Sequence, residues 1–328
     1  MLRLGLLGCG RIGQVHAQTL THVANAQLVA VADAVPTAAE ALAKTSGAEV
    51  RDADAIIAAP DIDAIIIATP TTLHFDQIHA AAKAGKAIFC EKPIDLSSDR
   101  AAACADAVAT AGVPFMTAFN RRFDPSFAHL EAQLRAGTVG PVELVVITSR
   151  DPAPPPIPYI QSSGGLFRDM TIHDFDMARF LLAEDPIEVF ATGSCMVDPA
   201  IAAAGDIDTA AVTLRTASGA LCQINNSRRA TYGYDQRIEV HGATGMLRAE
   251  NHREHQVELA GAQGFNTALN KLFFLERYAP AYQKEIEAFV AAVDAGQAPN
   301  PGIADGVAAQ RIADAAALSL ETGQPVAL

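Results

Sequence analysis

The residues able to do chemistry concentrate in three short stretches. The first is "GGLFRDMTIHDFDMARFLL", residues 164 to 182, where a Gly-Gly pair opens a helical pattern. At 100° per residue, Leu166, Met170, Met177, Phe180 and Leu181 share an arc about 100° wide, the width of a core-facing stripe. Asp169 and His173 project from the same arc, one turn apart. A lone histidine there reads as a hydrogen-bonded core residue. A carboxylate paired with an imidazole reads differently, because burying both costs stability unless something offsets it. Together they suit proton transfer near neutral pH.

The second stretch is "CEKP", residues 90 to 93. Glu91 and Lys92 leave an apolar strand directly before Pro93, so two charges stand at a strand mouth. A surface salt bridge is one reading. In the other, the ammonium holds an alcohol oxygen and favours a developing alkoxide.

The third is "GCGRIG", with Gly8, Gly10 and Gly13 in G-x-G-x-x-G spacing. It follows the strand pattern "LRLGLLG" and opens a helix at Arg11 and Ile12. Asp33 stands at the end of the next strand, as a dinucleotide fingerprint requires. Its carboxylate can accept the adenosine ribose hydroxyls and repels a 2′-phosphate. Ala34, Val35 and Pro36 supply no arginine to neutralise one, so NAD is expected over NADP. Another strand end, "ATPTTLH" at 68–74, offers Thr69, Thr71, Thr72 and His74 to the cofactor, with Thr72 alternatively a helix cap.

The elements that must position these residues change character near residue 120. Before it, the apolar strands "LRLGLLG", "AQLVAVAD", "DAIIIATP", "KAIFCEKP" and "VPFMTAFN" alternate with helical segments at 11–24, 36–46, 74–84 and 97–111. That alternation predicts a doubly wound parallel sheet over residues 1–119. After it, "PVELVVITSRDP", "IEVFATGSCMV", "DTAAVTLRTASGALCQINNSRRA", "DQRIEVHGATGMLRAE" and "HQVELAGA" follow one another as strands. They predict a largely antiparallel sheet within 120–328, flanked by the 164–182 helix and a helix at 280–295. "DPAPPPIPY", residues 151–159, reads as an extended loop, and a closing helix ends at Gly323.

Composition narrows the function classes. A chain of 328 residues, half hydrophobic and 19% charged, can bury two cores. A net charge of −13 argues against nucleic acid or an anionic membrane as partner. Cysteines at 9, 90, 104, 195 and 222 lack the paired spacing of a disulfide framework or zinc site, which suits a reducing cytoplasm. No metal is required for the chemistry above. The N-terminus reads as a first strand rather than a signal peptide. No apolar run reaches the roughly 18 residues that span a bilayer.

These stretches together resemble the glucose–fructose oxidoreductase and inositol dehydrogenase family across essentially the whole chain. The resemblance is carried by "GLLGCGRIGQVHA", by "EKP" at 91–93, by "FNRRFDP" at 119–125, by "GGLFRDMTIHDFDMARFLL" and by the terminal "IADAAALSLETGQPVAL". Within the family, "SRDPAPPP", "DMTIHDFDMARF" and "YGYDQRIEVHG" are most similar to the myo-inositol 2-dehydrogenase branch. The resemblance implies a Rossmann domain followed by a substrate-binding and oligomerisation domain. It also implies NAD-dependent oxidation of myo-inositol to the 2-inosose by a cytoplasmic homotetramer. The family's catalytic lysine matches Lys92, with a cis peptide before Pro93, and its catalytic aspartate and histidine match Asp169 and His173. Asn120 and Tyr232 match positions lining its substrate pocket, joined by Asp151 on the proline loop. Glu91 and Lys92 would emerge beside the nicotinamide. A family variant carries Met where this chain has Asn120, so the pocket floor differs between members.

In the implied mechanism His173 removes the hydroxyl proton, Asp169 orients the imidazole or Lys92, and Lys92 steadies the alkoxide. Oxidative turnover should then rise with pH as His173 loses its proton. Two alternatives stay open. One keeps the chemistry on scyllo-inositol, glucose or another sugar. The other is a dinucleotide-binding regulator, which would tolerate loss of the lysine or histidine that this chain retains.

Overall fold

Six short runs rich in Leu, Ile, Val and Ala form a parallel sheet in the computed structural model, which describes residues 1–328. They are β1 (Leu2–Leu7), β2 (Ala26–Ala32), β3 (Glu49–Val50), β4 (Ala64–Ile67), β5 (Ala87–Cys90) and β6 (Phe115–Thr117). Their spatial order β3-β2-β1-β4-β5-β6 is the doubly wound one, reversing between β1 and β4. The helices between them are α1 (Arg11–Leu20), α2 (Pro36–Ser46), α3 (Ala53–Ala58), α4 (His74–Lys83) and α5 (Ser98–Ala111). One face of the sheet packs Leu4, Leu6, Ile66 and Phe89 into a core, and the other packs Leu7, Ile65, Ile67 and Ile88. Because both faces are covered, the strands read as continuous apolar runs. The expected helices are all present. The six-residue α3 went unforeseen, being too short to show a helical period.

The second sheet is mixed. It follows α6 (Pro125–Arg135), whose first turn is capped by Asp124 accepting from the Ser126 and Phe127 amides at 3.0 and 3.2 Å. β7 (Val142–Arg150) leads to α7 (Ile157–Ser163), a π-turn (Phe167–Thr171) and α8 (Ile172–Leu182). Then come β8 (Pro186–Ser194), α9 (Pro199–Ala203), β9 (Thr209–Thr216), β10 (Leu221–Ser227), β11 (Asp235–Gly242) and β12 (Gly245–Ala249). An exposed hairpin, β13 (Glu258–Gly261) with β14 (Gly264–Thr267), and α10 (Phe274–Arg277) follow. Sheet order is β12-β11-β7-β10-β9-β8-β15, where β15 is Val326–Ala327. Only β7 and β10 run parallel, so the sheet is largely antiparallel as expected.

Two corrections concern the second half. The proline stretch is extended only to Pro156, because α7 takes Ile157, Pro158 and Tyr159 into its first turn. Proline suits that position, where its missing N–H has no intrahelical partner to lose. The domain boundary is also not a single cut. One compact unit is Met1–Phe123 with Pro280–Arg311, and the other is Asp124–Ala279 with Ile312–Leu328. In α11 (Ala279–Asp294), Ile286, Phe289 and Val290 join the core of β1 and β5. Val307 of α12 (Ile303–Thr322) joins the core on the sheet's other face. Assigning all of 120–328 to one domain missed this, because an apolar stripe shows that a helix is buried but not against what.

No helix is long and apolar enough to cross a membrane.

Candidate active site

Two glycines of the first turn, Gly8 and Gly13, are required by sterics. Gly8 has φ +96°, and a Cβ there would lie 2.4 Å from the Ala68 carbonyl oxygen. At Gly13 a Cβ would lie 2.0 Å from the Gly8 oxygen, so only glycine lets α1 pack this close to β1. A Cβ at Gly10 would meet nothing within 4 Å, and no side chain caps the start of α1. The start of α1 thus carries no side-chain cap that would compete with an anion, as a pyrophosphate site requires. Asp33 accepts from the Cys9 amide at 2.6 Å and the Val35 amide at 2.8 Å. A carboxylate has about four lone-pair positions, so two remain for ribose hydroxyls. These residues fit a dinucleotide.

At the end of β4 the turn borders this loop, since the Gly8 Cβ position is 2.7 Å from the Thr69 nitrogen. The Thr69 hydroxyl donates to Gln77 at 2.7 Å. Thr71 and Thr72 form a single 3₁₀ turn, and Thr72 does not cap α4. His74 departs from expectation. It is fully buried, with Nδ1 2.9 Å from the Pro93 oxygen and Nε2 2.9 Å from the Thr69 oxygen. Burial lowers its pKa, and the neutral ring donates to one of these carbonyls. His74 ties the β4 turn to the Glu-Lys-Pro turn from inside, and its ring nitrogens are not offered to a cofactor.

Glu91 is corrected in the same sense. Its Oε1 lies 2.7 Å from Nε2 of His16, a fully buried residue of α1 wedged edge-on against Phe89 and Tyr282. The carboxylate therefore anchors the turn rather than standing at a strand mouth. Lys92 is partly exposed, and the Lys92–Pro93 peptide is cis as expected. His16 on one side and His74 on the other thus hold the residues flanking Lys92. Neither role was visible in the sequence, although His16 stands one turn after Gly13 on the buried face of α1.

Asp169 and His173 do not lie on the buried arc predicted for them. Asp169 falls inside the π-turn, whose wider ring rotates the residues that follow it relative to a plain α-helix. From Ile172 to Ala178 every residue is buried except His173, which is partly exposed with its Nδ1 enclosed. The buried carboxylates of α8 are Asp174 and Asp176, and Asp174 accepts from the Asn226 amide at 2.8 Å. Asp169 keeps 13% of its side chain exposed and takes a hydrogen bond on each oxygen. Tyr159 Oη donates to Oδ1 at 2.8 Å and Arg228 Nη2 to Oδ2 at 3.2 Å.

Residues 2–119 match the model for an oxidoreductase family with an NAD-binding Rossmann fold, and residues 127–248 match the GFO/IDH/MocA C-terminal domain. The inositol 2-dehydrogenase of Rhizobium meliloti is 54% identical, covering 100% of this chain and 99% of that one. The chain belongs to the GFO/IDH/MocA oxidoreductase family. The myo-inositol 2-dehydrogenase of Thermotoga maritima is 44% identical, covering 100% of this chain and 98% of its own. A scyllo-inositol dehydrogenase from Lactobacillus casei, solved with bound NAD(H) and scyllo-inositol, superposes with TM-score 0.92 at 30% identity, covering 100% and 99%. As a GFO/IDH/MocA oxidoreductase the protein uses NAD, and the geometry of the Gly8–Gly13 turn with Asp33 fits it.

The three remaining pocket candidates of this family member fall in different places. Asn120 is buried in the 3₁₀ turn directly after β6. Asp151 lies 3.9 Å from Arg228, which places it beside Asp169. Tyr232 is not brought alongside Asp169 and His173 within its own unit. Its hydroxyl donates to Asp235 at 2.6 Å and accepts from Arg150 at 2.9 Å, and Arg150 also bonds Asn225. Asn226 faces α8, so its neighbour Asn225 and the Tyr232 hydroxyl lie on the opposite face of the sheet. Strand alternation decides that face, and a motif match does not register it. All five cysteines are free, and burial raises each thiol, Cys9 to about 11 with help from Asp33, so none offers a thiolate at neutral pH.

Proposed function

We propose that the protein oxidises myo-inositol to the 2-inosose. The observation that carries this reading is an intact dinucleotide cradle in the same chain as Lys92, Asp169 and His173, in a close relative of inositol 2-dehydrogenases. When bound, NAD supplies the hydride acceptor. His173 takes the hydroxyl proton at its imidazole as the C–H bond breaks and the carbonyl forms. Lys92 donates to the same oxygen and stabilises its developing charge. Asp169 stabilises the positive charge that proton transfer creates.

The test is NADH formation over a panel of inositols and aldoses. myo-Inositol should give the highest kcat/KM. A second reading, in which scyllo-inositol is preferred, is favoured by the ligand of the Lactobacillus casei structure. A higher kcat/KM for scyllo-inositol would replace the first reading with it. No turnover of any polyol would favour a regulatory role.

The same reading makes the protein a cytoplasmic homotetramer. Free cysteines throughout suit a reducing compartment. One face of the second sheet buries Val189, Val212, Leu214 and Ile224, while the other leaves Phe190 and Leu221 exposed. Exposed apolar side chains on that face suit burial in a symmetric assembly. Light scattering at micromolar protein should give four chains; a monomer would remove this part of the reading.

A further inference from the structure

We propose that Arg228 and Tyr159 are positioning residues for Asp169, holding its carboxylate ionised and turned to one orientation during the reaction. The proposal rests on the reading that Asp169 serves that reaction.

Arg228 directly follows β10, and its amide donates to the Asp208 oxygen at 2.8 Å. Its side chain is 1% exposed, and a buried guanidinium is strongly unfavourable without anionic partners. Three carboxylates surround it, from three separate segments: Asp169 at 3.2 Å, Asp151 at 3.9 Å and Asp206 at 4.0 Å. Only Asp169 is within hydrogen-bonding distance. Asp206 uses Oδ1 to accept the Leu166 amide at 3.0 Å, which fixes the chain entering the π-turn. Asp151 is placed by its own amide, which donates to the Ser227 oxygen at 2.9 Å. The arginine is therefore aimed at Asp169, with the other two carboxylates balancing its charge.

Asp169 lies within the π-turn, where its own amide donates to the Gly165 oxygen at 3.0 Å, and two donors from outside the turn meet its carboxylate. Arg228 grips one oxygen with a charge-assisted bond, and Tyr159 grips the other. Both bonds favour the ionised carboxylate over the acid. Asp169 then acts as a fixed anion, which leaves proton transfer to His173. Tyr159 is 49% exposed, so little of the core depends on it. A purely structural ion pair would have no use for this second donor from the surface.

The experiment measures NAD reduction by myo-inositol in the full-length protein, with melting temperature and NADH affinity followed by fluorescence. Tyr159→Phe should lower kcat by about tenfold, the scale of one hydrogen bond to a charged group. NADH affinity and melting temperature should stay unchanged. Arg228→Met should lose more, and Arg228→Lys should recover part of that loss by restoring the charge. In an Asp169→Asn background, Tyr159→Phe should cost less than about twofold, because residues acting through one group are not additive. Wild-type kcat in Tyr159→Phe would overturn the proposal, as would the same fold-loss in both backgrounds. Wild-type kcat in Asp169→Asn would instead remove the reading of Asp169 on which the proposal stands. If the Arg228 variants fail to fold, the Tyr159 pair of measurements still decides.

Discussion

His173→Ala should lower kcat for myo-inositol oxidation by about 10²–10⁴-fold, the usual worth of a general base. Lys92→Ala should cost about 10²–10³-fold, as when one donor to a developing oxyanion is removed. Both variants should bind NADH like the wild type, because neither residue belongs to the Gly8–Gly13 turn or to Asp33. His173 is the one partly exposed residue between Ile172 and Ala178, so the melting temperature should change little in the alanine variant. Steady-state kinetics beside NADH fluorescence titration separates the two effects. Substantial turnover in His173→Ala would move the base elsewhere. Unfolding of that variant would show a structural imidazole.

Reversal of cofactor choice is the second large effect. Asp33→Ser with Ala34→Arg should raise kcat/KM for NADP and lower it for NAD, each by at least about tenfold, or about 1.4 kcal/mol. The carboxylate that repels a 2′-phosphate is gone in this variant, and a guanidinium replaces it where Val35 and Pro36 offer no charge. Asp33 also accepts the Cys9 and Val35 amides, so some loss of stability should accompany the switch. Comparing both cofactors at saturating myo-inositol reads the change directly. Equal use of NAD and NADP by the wild-type protein would end the Asp33 argument.

Asp33, the glycines and Lys92 were legible in the sequence because each belongs to a local strand–turn–helix pattern whose geometry is nearly fixed. Asp169 and His173 were singled out from a shared arc, and that geometric reason failed. A regular helix would have put them on the buried arc, whereas the π-turn leaves both partly exposed. Glu91 and His74 were misread for one shared cause. Both were read as facing a cofactor, but their side chains turn inward to His16 and to the Pro93 and Thr69 carbonyls. A charge or imidazole at a strand end does not reveal which way it points.

By itself the sequence determined the doubly wound sheet, the dinucleotide cradle and the chemical character of the candidate site. Those follow from glycine sterics, strand and helix periods, and charge at short range along the chain. Only the tertiary structure decided that residues 280–311 complete the first core, that Tyr232 points to the far face of its sheet, and that Arg228 reaches Asp169. The Arg228–Asp169 bond joins residues 59 apart, and His16–Glu91 joins residues 75 apart. Contacts at that separation depend on where the folded chain returns, and no local pattern of residues encodes the return.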